Sequence, residues 1–149
     1  MKWIATAVIV AGMGLVGMMG VSGEAQAANC DGTGACKVDV SVNNCFITPN
    51  PASLPVKAKN VNIIWELDND SAANYRFNDP DGVKLKQDDS DFGQPESQAG
   101  GKKFKLHDKN SKAKPGEKLS YPYTIKVQRL VFGKWFDCPP LDPIIVNEG

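Results

Sequence analysis

The chain has 149 residues, 17 basic and 17 acidic side chains, and 42% hydrophobic residues. A formal net charge of zero excludes nucleic acid as an expected partner, and the length suits one domain with its own core. One histidine and four methionines, every methionine lying before residue 20, leave few soft ligands for metal or redox chemistry.

The first element is a basic start, Met1-Lys2, followed by an apolar run from Trp3 to Val21 and the small-residue stretch "SGEAQAAN". This is the pattern of a secretory signal peptide, with cleavage expected after Ala27, where Ala25 and Ala27 flank Gln26. The run is long enough to raise a retained anchor as the alternative. Five glycines between Gly12 and Gly23 weaken its helix, and no basic stop-transfer cluster follows. The expected organisation is a signal peptide at 1–27 and a single domain at 28–149. That domain is expected to be periplasmic or secreted, with no integral membrane span once the leader is removed.

Cys30, Cys36, Cys45 and Cys138 come next, and export decides their chemistry. Thiols in an oxidising compartment pair, and these spacings match neither a zinc site nor a C-x-x-C redox motif. Val38, Val40 and Val42 alternate with Asp39, Ser41 and Asn43, a half-buried strand. An extended 36–45 segment separates Cys36 from Cys45 by about 30 Å, whereas a disulfide needs Cα atoms within about 7 Å. Cys30 can travel back from Cys36 by only about 20 Å, so it also falls short of Cys45. The expected bridges are Cys30–Cys36 and Cys45–Cys138.

Strand signals dominate the remainder. "NVNIIWELD" places Val61, Ile63, Trp65 and Leu67 on one face. Shorter strands are expected at Ala73–Phe77, Val83–Lys86 and Phe104–His107. "YPYTIKVQRLV" sets Tyr121, Tyr123, Ile125 and Val127 on a common face, "LVFGKWF" turns at Phe132-Gly133 as a hairpin, and "DPIIVNE" supplies the last strand. Most prolines, Pro49, Pro51 and Pro55 included, are read as loop punctuation. Seven or so short strands separated by turns imply an all-β fold, a single antiparallel β-sandwich of Greek-key type stapled by disulfides.

The order of "VDVSV", "NVNIIWEL", "YRF…DGVKL" and "YPYTIKV" over residues 37–147 resembles secreted cupredoxin-like and immunoglobulin-like sandwiches. In blue-copper members of that group a copper-binding cysteine commonly follows a late tyrosine-rich strand. Here Tyr121-Pro122-Tyr123-Thr124 runs on to Ile125, so the resemblance implies the fold without the copper. No metal and no cofactor is expected.

Catalytic signals are thin. His107 and Asp108 are neighbours on a strand and point to opposite faces, no G-x-S-x-G elbow is present, and Glu66 opposes the face of Trp65. No catalytic residue is expected. An EF-hand loop starting at Asp68 fits at Asp70 but fails at Ala72 and Ala73, so the acidic loops read as solvated turns.

Charge order is the most informative surface feature. Residues 79–96 carry six acidic and two basic side chains, and residues 102–118 carry seven lysines against two acids. Either the two segments neutralise one another, or the lysines form a patch for an anionic envelope or extracellular partner. The candidate binding residues are Lys109, Lys112 and Lys114, with Trp135 as an open aromatic suited to a sugar platform. The functional expectation is an exported non-enzymatic binding or structural protein. A carbohydrate- or metal-binding module is the alternative, and a hydrolytic enzyme comes third. An exposed aromatic pair on one face would favour the carbohydrate module.

Overall fold

The computed structural model describes residues 30–33 and 36–149. The expected signal peptide at 1–27 and its cleavage site lie outside the described residues.

The fold is all-β. From the N-terminal side the strands are β1 (Cys36–Asn43), β2 (Phe46–Asn50), β3 (Ser53–Val56) and β4 (Val61–Leu67). A one-turn helix α1 (Asn69–Ala72) follows, then β5 (Tyr75–Phe77), β6 (Val83–Leu85), β7 (Glu96–Gln98) and β8 (Lys103–Asp108). The last four are β9 (Lys118–Ile125), β10 (Val127–Val131), β11 (Lys134–Asp137) and β12 (Ile144–Glu148). They form three sheets, ordered β2-β1-β4-β8-β7, β11-β10-β5 and β3-β12-β9-β6.

Two of the sheets are mixed, which corrects the antiparallel expectation, while β11-β10-β5 is antiparallel throughout. β1 runs parallel to β4, and β12 runs parallel to β3. The cause is the short, proline-rich crossing after β2. That strand pairs with β1 through Asp39↔Asn50. The chain then passes Pro51 and re-pairs, as β3, with β12 in another sheet. Pro49 and Pro55 therefore lie inside strands and not between them. Both β2 and β3 are sheet edges, where a residue without an N–H is tolerated. Reading prolines as punctuation is what hid β2 and β3 in the sequence.

The expected apolar faces form the core. Val38, Val40, Ile63, Trp65, Phe104 and Leu106 of the first sheet are at most 1% exposed, as are Leu54, Tyr123, Ile125 and Ile145 of the third. These two faces meet where Trp65 Nε1 donates to Tyr123 Oη at 3.1 Å, the rings standing edge to face with centroids 5.3 Å apart. Burial raises the Tyr123 phenol to about 12, with the bond from Trp65 opposing it. Each fully buried aromatic of this kind contributes about 2–3 kcal/mol. Phe77 of β5 packs edge to face on Phe104 at 5.9 Å. Gly82 sits against that pair. A Cβ there would stand 2.6 Å from the Asn78 carbonyl oxygen and 2.8 Å from the Phe104 ring, so only glycine fits.

The disulfides join Cys30 to Cys36 and Cys45 to Cys138, with Cα separations of 4.7 and 5.1 Å. β1 stays extended as far as Asn43, and a two-residue turn at Asn44 (φ 48°) and Cys45 (φ 66°) leads into β2. Cys45 is thus at the opposite end of β1 from Cys36. Among the described residues no helix is long and apolar enough to cross a membrane.

Candidate functional site

The lysine segment is largely consumed inside the fold. Lys112 pairs with Asp89 at 2.6 Å, Lys105 with Glu96 at 2.7 Å, Lys103 with Glu66 at 2.9 Å and Lys118 with Glu148 at 2.7 Å. Lys109 donates to the Ser90 carbonyl at 2.8 Å, and Lys102 to the carbonyls of Ala72 and Tyr75. Of the candidate cations Lys109, Lys112 and Lys114, the side chain of Lys114 alone has no ion pair or hydrogen bond within the described residues. Lys102 is held below the usual lysine range by burial and by the neighbouring Arg76 charge.

Trp135 is half-buried. The Arg76 guanidinium lies 4.3 Å from its ring centroid, and Lys102 Nζ lies 5.7 Å away. A ring face that already carries a guanidinium is not open to a sugar. His107 and Asp108 do point apart: His107 is half-buried with Nδ1 3.1 Å from Asn62 Oδ1, and Asp108 is fully buried on the core side.

The more promising surface lies where the ends of β1, β4 and β10 come together. An open, polar cleft of about 530 Å³ is lined by Asn43, Asn44, Asp68, Asp70, Asn74 and Arg129, among others. Local structure explains each position. The Asn44–Cys45 turn requires left-handed backbone, which asparagine tolerates. Asp68 caps α1, accepting from Ser71 N at 2.7 Å, and Ser41 Oγ donates to its other oxygen. Burial opposes ionisation of Asp68, but these donors outweigh it and hold its carboxyl below the ordinary range. The serine of α1 is itself fixed, because Ser71 Oγ accepts from Val42 N at 2.7 Å. Arg129 arrives on β10 opposite Tyr75 of β5, and no carboxylate neutralises it among the described residues.

Two exposed phenyl rings are strand partners of residues that line this cleft. Phe46, 78% exposed, is the strand partner of Asn43, and Phe136, 53% exposed, is the partner of Arg129. Directly opposed residues of an antiparallel pair share a face. Each ring therefore stands beside a cleft-lining side chain. The Cys45–Cys138 disulfide ties the two flanks together, one residue from Phe46 and two from Phe136.

A second open cleft of similar volume combines an apolar floor including Phe92 and Leu106 with the acidic side chains Asp81, Asp88 and Asp89. It carries no exposed aromatic, and Asp81 and Asp89 face Lys84 and Lys112 across their ion pairs.

Sequence reasoning did not single out Phe46, Phe136, Asn74 or Arg129, and weighed Asp70 only as a position of a failed EF-hand loop. The available signal was "NNCF", a polar turn with an aromatic beside a cysteine. Its pairing with Cys138 brings "WFDC" to the same place. Among the described residues no three His, Cys, Asp or Glu side chains gather as a metal site. No family model matches the chain, and no curated protein matches it in sequence.

Proposed function

We propose that the protein is an exported, non-catalytic binding protein of two-layer β-sandwich type, and that its ligand is a saccharide of the envelope or its surroundings. The observation that carries this reading is the pair of exposed phenyl rings, Phe46 and Phe136, beside a cleft of free amide, carboxylate and guanidinium groups. Sugar rings stack on aromatic faces through their C–H groups. Their hydroxyls, each donor and acceptor, match planar side chains that supply both functions. Arg129, Asn74 and Asp70 provide that mixture, and Phe136 beside Arg129 provides the platform.

The mixed sheets favour the cupredoxin-like form of the sandwich over the immunoglobulin-like one, whose constant-type sheets are antiparallel throughout. The disulfides agree with an oxidising compartment and hence with export.

The test is co-sedimentation of the mature protein with insoluble polysaccharides, using murein sacculi, chitin and cellulose as the panel. Retention on at least one of them is expected, with a tenfold or greater loss in Phe136→Ala and in Phe46→Ala. The Lys109→Gln/Lys112→Gln/Lys114→Gln variant should bind as the wild type does. Failure of every polysaccharide to retain the protein, or retention insensitive to both phenylalanine substitutions, would overturn this assignment.

A further inference from the structure

At the opposite end of β1 from the cleft, four polar side chains are sealed between the layers. Asp108 and Asn147 are 0% exposed, and Asp91 and Asn110 are 1% exposed. Asp91 is fully occupied: it accepts from Ser111 N at 3.0 Å, Lys112 N at 3.1 Å and Ser111 Oγ. Asp108 is not. Its Oδ1 accepts from Asn110 N at 2.8 Å and from Asn147 Nδ2 at 3.1 Å, while its Oδ2 has no donor among the described residues. Among the described residues no basic side chain pairs with Asp108.

The two asparagines add two more oxygens of the same kind, Asn110 Oδ1 and Asn147 Oδ1, both buried without a donor among the described residues. Their orientation is not arbitrary. Asn110 Nδ2 faces the carbonyls of Val56 (3.1 Å), Glu148 (3.1 Å) and Ala58 (3.4 Å), so rotating the amide would set oxygen against three oxygens. Asn147 Nδ2 faces the Asp108 carboxylate, which fixes that amide as well. The local field is negative: Tyr121, burdened by burial and then by Asp89, Asp91, Asp108 and Glu117, is pushed up to about 12. Buried charges are ordinarily paired or bound to a metal, and an all-oxygen set of one carboxylate and two amides suits a hard cation.

We propose that Asp108 Oδ2, Asn110 Oδ1 and Asn147 Oδ1 are the side-chain ligands of a buried site for a hard cation of calcium size. Calcium accepts irregular sets that mix carboxylate and carbonyl oxygens, whereas magnesium demands a near-ideal octahedron and retains its water. The site joins the first sheet to the third through Asp108 on β8 and Asn147 on β12. Its role is structural, and it is distinct from the saccharide cleft.

The experiment uses the mature protein stripped with EDTA at mildly acidic pH, returned to neutral pH and equilibrated with 1 mM calcium, magnesium or sodium chloride. Metal is counted by mass spectrometry after rapid desalting, and thermal unfolding is followed in parallel. One calcium per chain and a higher melting temperature in calcium than in EDTA are expected, with a smaller shift in magnesium or sodium. Asp108→Asn keeps the size and one acceptor but removes the charge, and its melting in EDTA shows whether it folds. It should lose the calcium and the calcium-dependent shift. A variant of the exposed acidic loop, Asp81→Asn/Asp88→Asn, should retain both. No bound calcium in the wild type, or calcium that survives Asp108→Asn, would overturn the proposal.

Discussion

Asp108 is the residue whose chemistry the sequence hid most completely. Burial lifts its carboxyl to about 6. The bonds from Asn110 and Asn147 and the nearby His107 work the other way, while Asp91 pushes it higher. An acid with a raised folded-state value stabilises the fold fully below its unfolded value near 4, and that contribution disappears as pH rises through 6. In metal-free buffer the protein should therefore be less stable at pH 8 than at pH 5, by about 1.4 kcal/mol, because only the last unit of the shift is titrated above pH 5. Asp108→Asn should flatten that slope and raise stability at pH 8. Urea unfolding at the two pH values checks both, and a wild-type slope retained in the variant would place the effect elsewhere. The window has a lower limit. Glu66, held down by Lys103 and Lys37, and Asp89, held down by Lys112 and the Asp91 backbone, begin to lose their partners' stabilisation below about pH 4.5. In the sequence, "LHDKN" places Asp108 on the apolar side of an alternating strand, since Phe104 and Leu106 are four and two residues before it. The pattern showed that it faces away from His107. It did not show which buried partners wait there, because Asn147 is a neighbour only after the sheets have packed.

Among the elements, the strands written as strict alternation were legible: β1, β4 and β9 each bury the side chains that a period of two selects. The strands carrying proline, β2 and β3, were not, because edge position is a property of the sheet and has no local signature. The two exposed rings were hidden for a related reason. Phe46 and Phe136 lie 90 residues apart and become neighbours through the Cys45–Cys138 bridge. That bridge should matter more than the other one. On chain entropy alone, Cys45→Ser/Cys138→Ser should cost about 4 kcal/mol and Cys30→Ser/Cys36→Ser about 2 kcal/mol. Only the first pair should also weaken polysaccharide retention, since only it holds the two flanks together. Chemical unfolding and co-sedimentation of the two double variants separate the effects. Equal loss of binding in both would mean that the bridge acts through global stability.

Over the whole molecule, balanced charge is achieved locally. The acidic and basic segments that stood out in the sequence meet as Lys112–Asp89 and Lys105–Glu96, while Lys103 and Lys118 find Glu66 and Glu148. Exposed pairs of this kind contribute about 0–1 kcal/mol each. The triple substitution of Lys109, Lys112 and Lys114 by Gln should change stability by less than about 1 kcal/mol. Neither it nor the wild type should adsorb to anionic lipid vesicles in a salt-dependent way. Vesicle flotation at low and physiological ionic strength measures this, and strong binding at low salt that the triple variant loses would restore the lysine segment as the contact surface.

The parallel pairing of β3 with β12 has a temporal consequence. Ile144 is the register partner of Ser53, so β3 leaves the ribosome about 90 residues before the strand it must join. β12 is also an interior strand, pairing with β9 on its other side. Until it arrives, the third sheet has neither its middle nor a way to cover Leu54 and Val56. Long-range pairings of this sort are slow to form. A chain halted before residue 144 should thus remain open and protease-sensitive until its last strand is supplied.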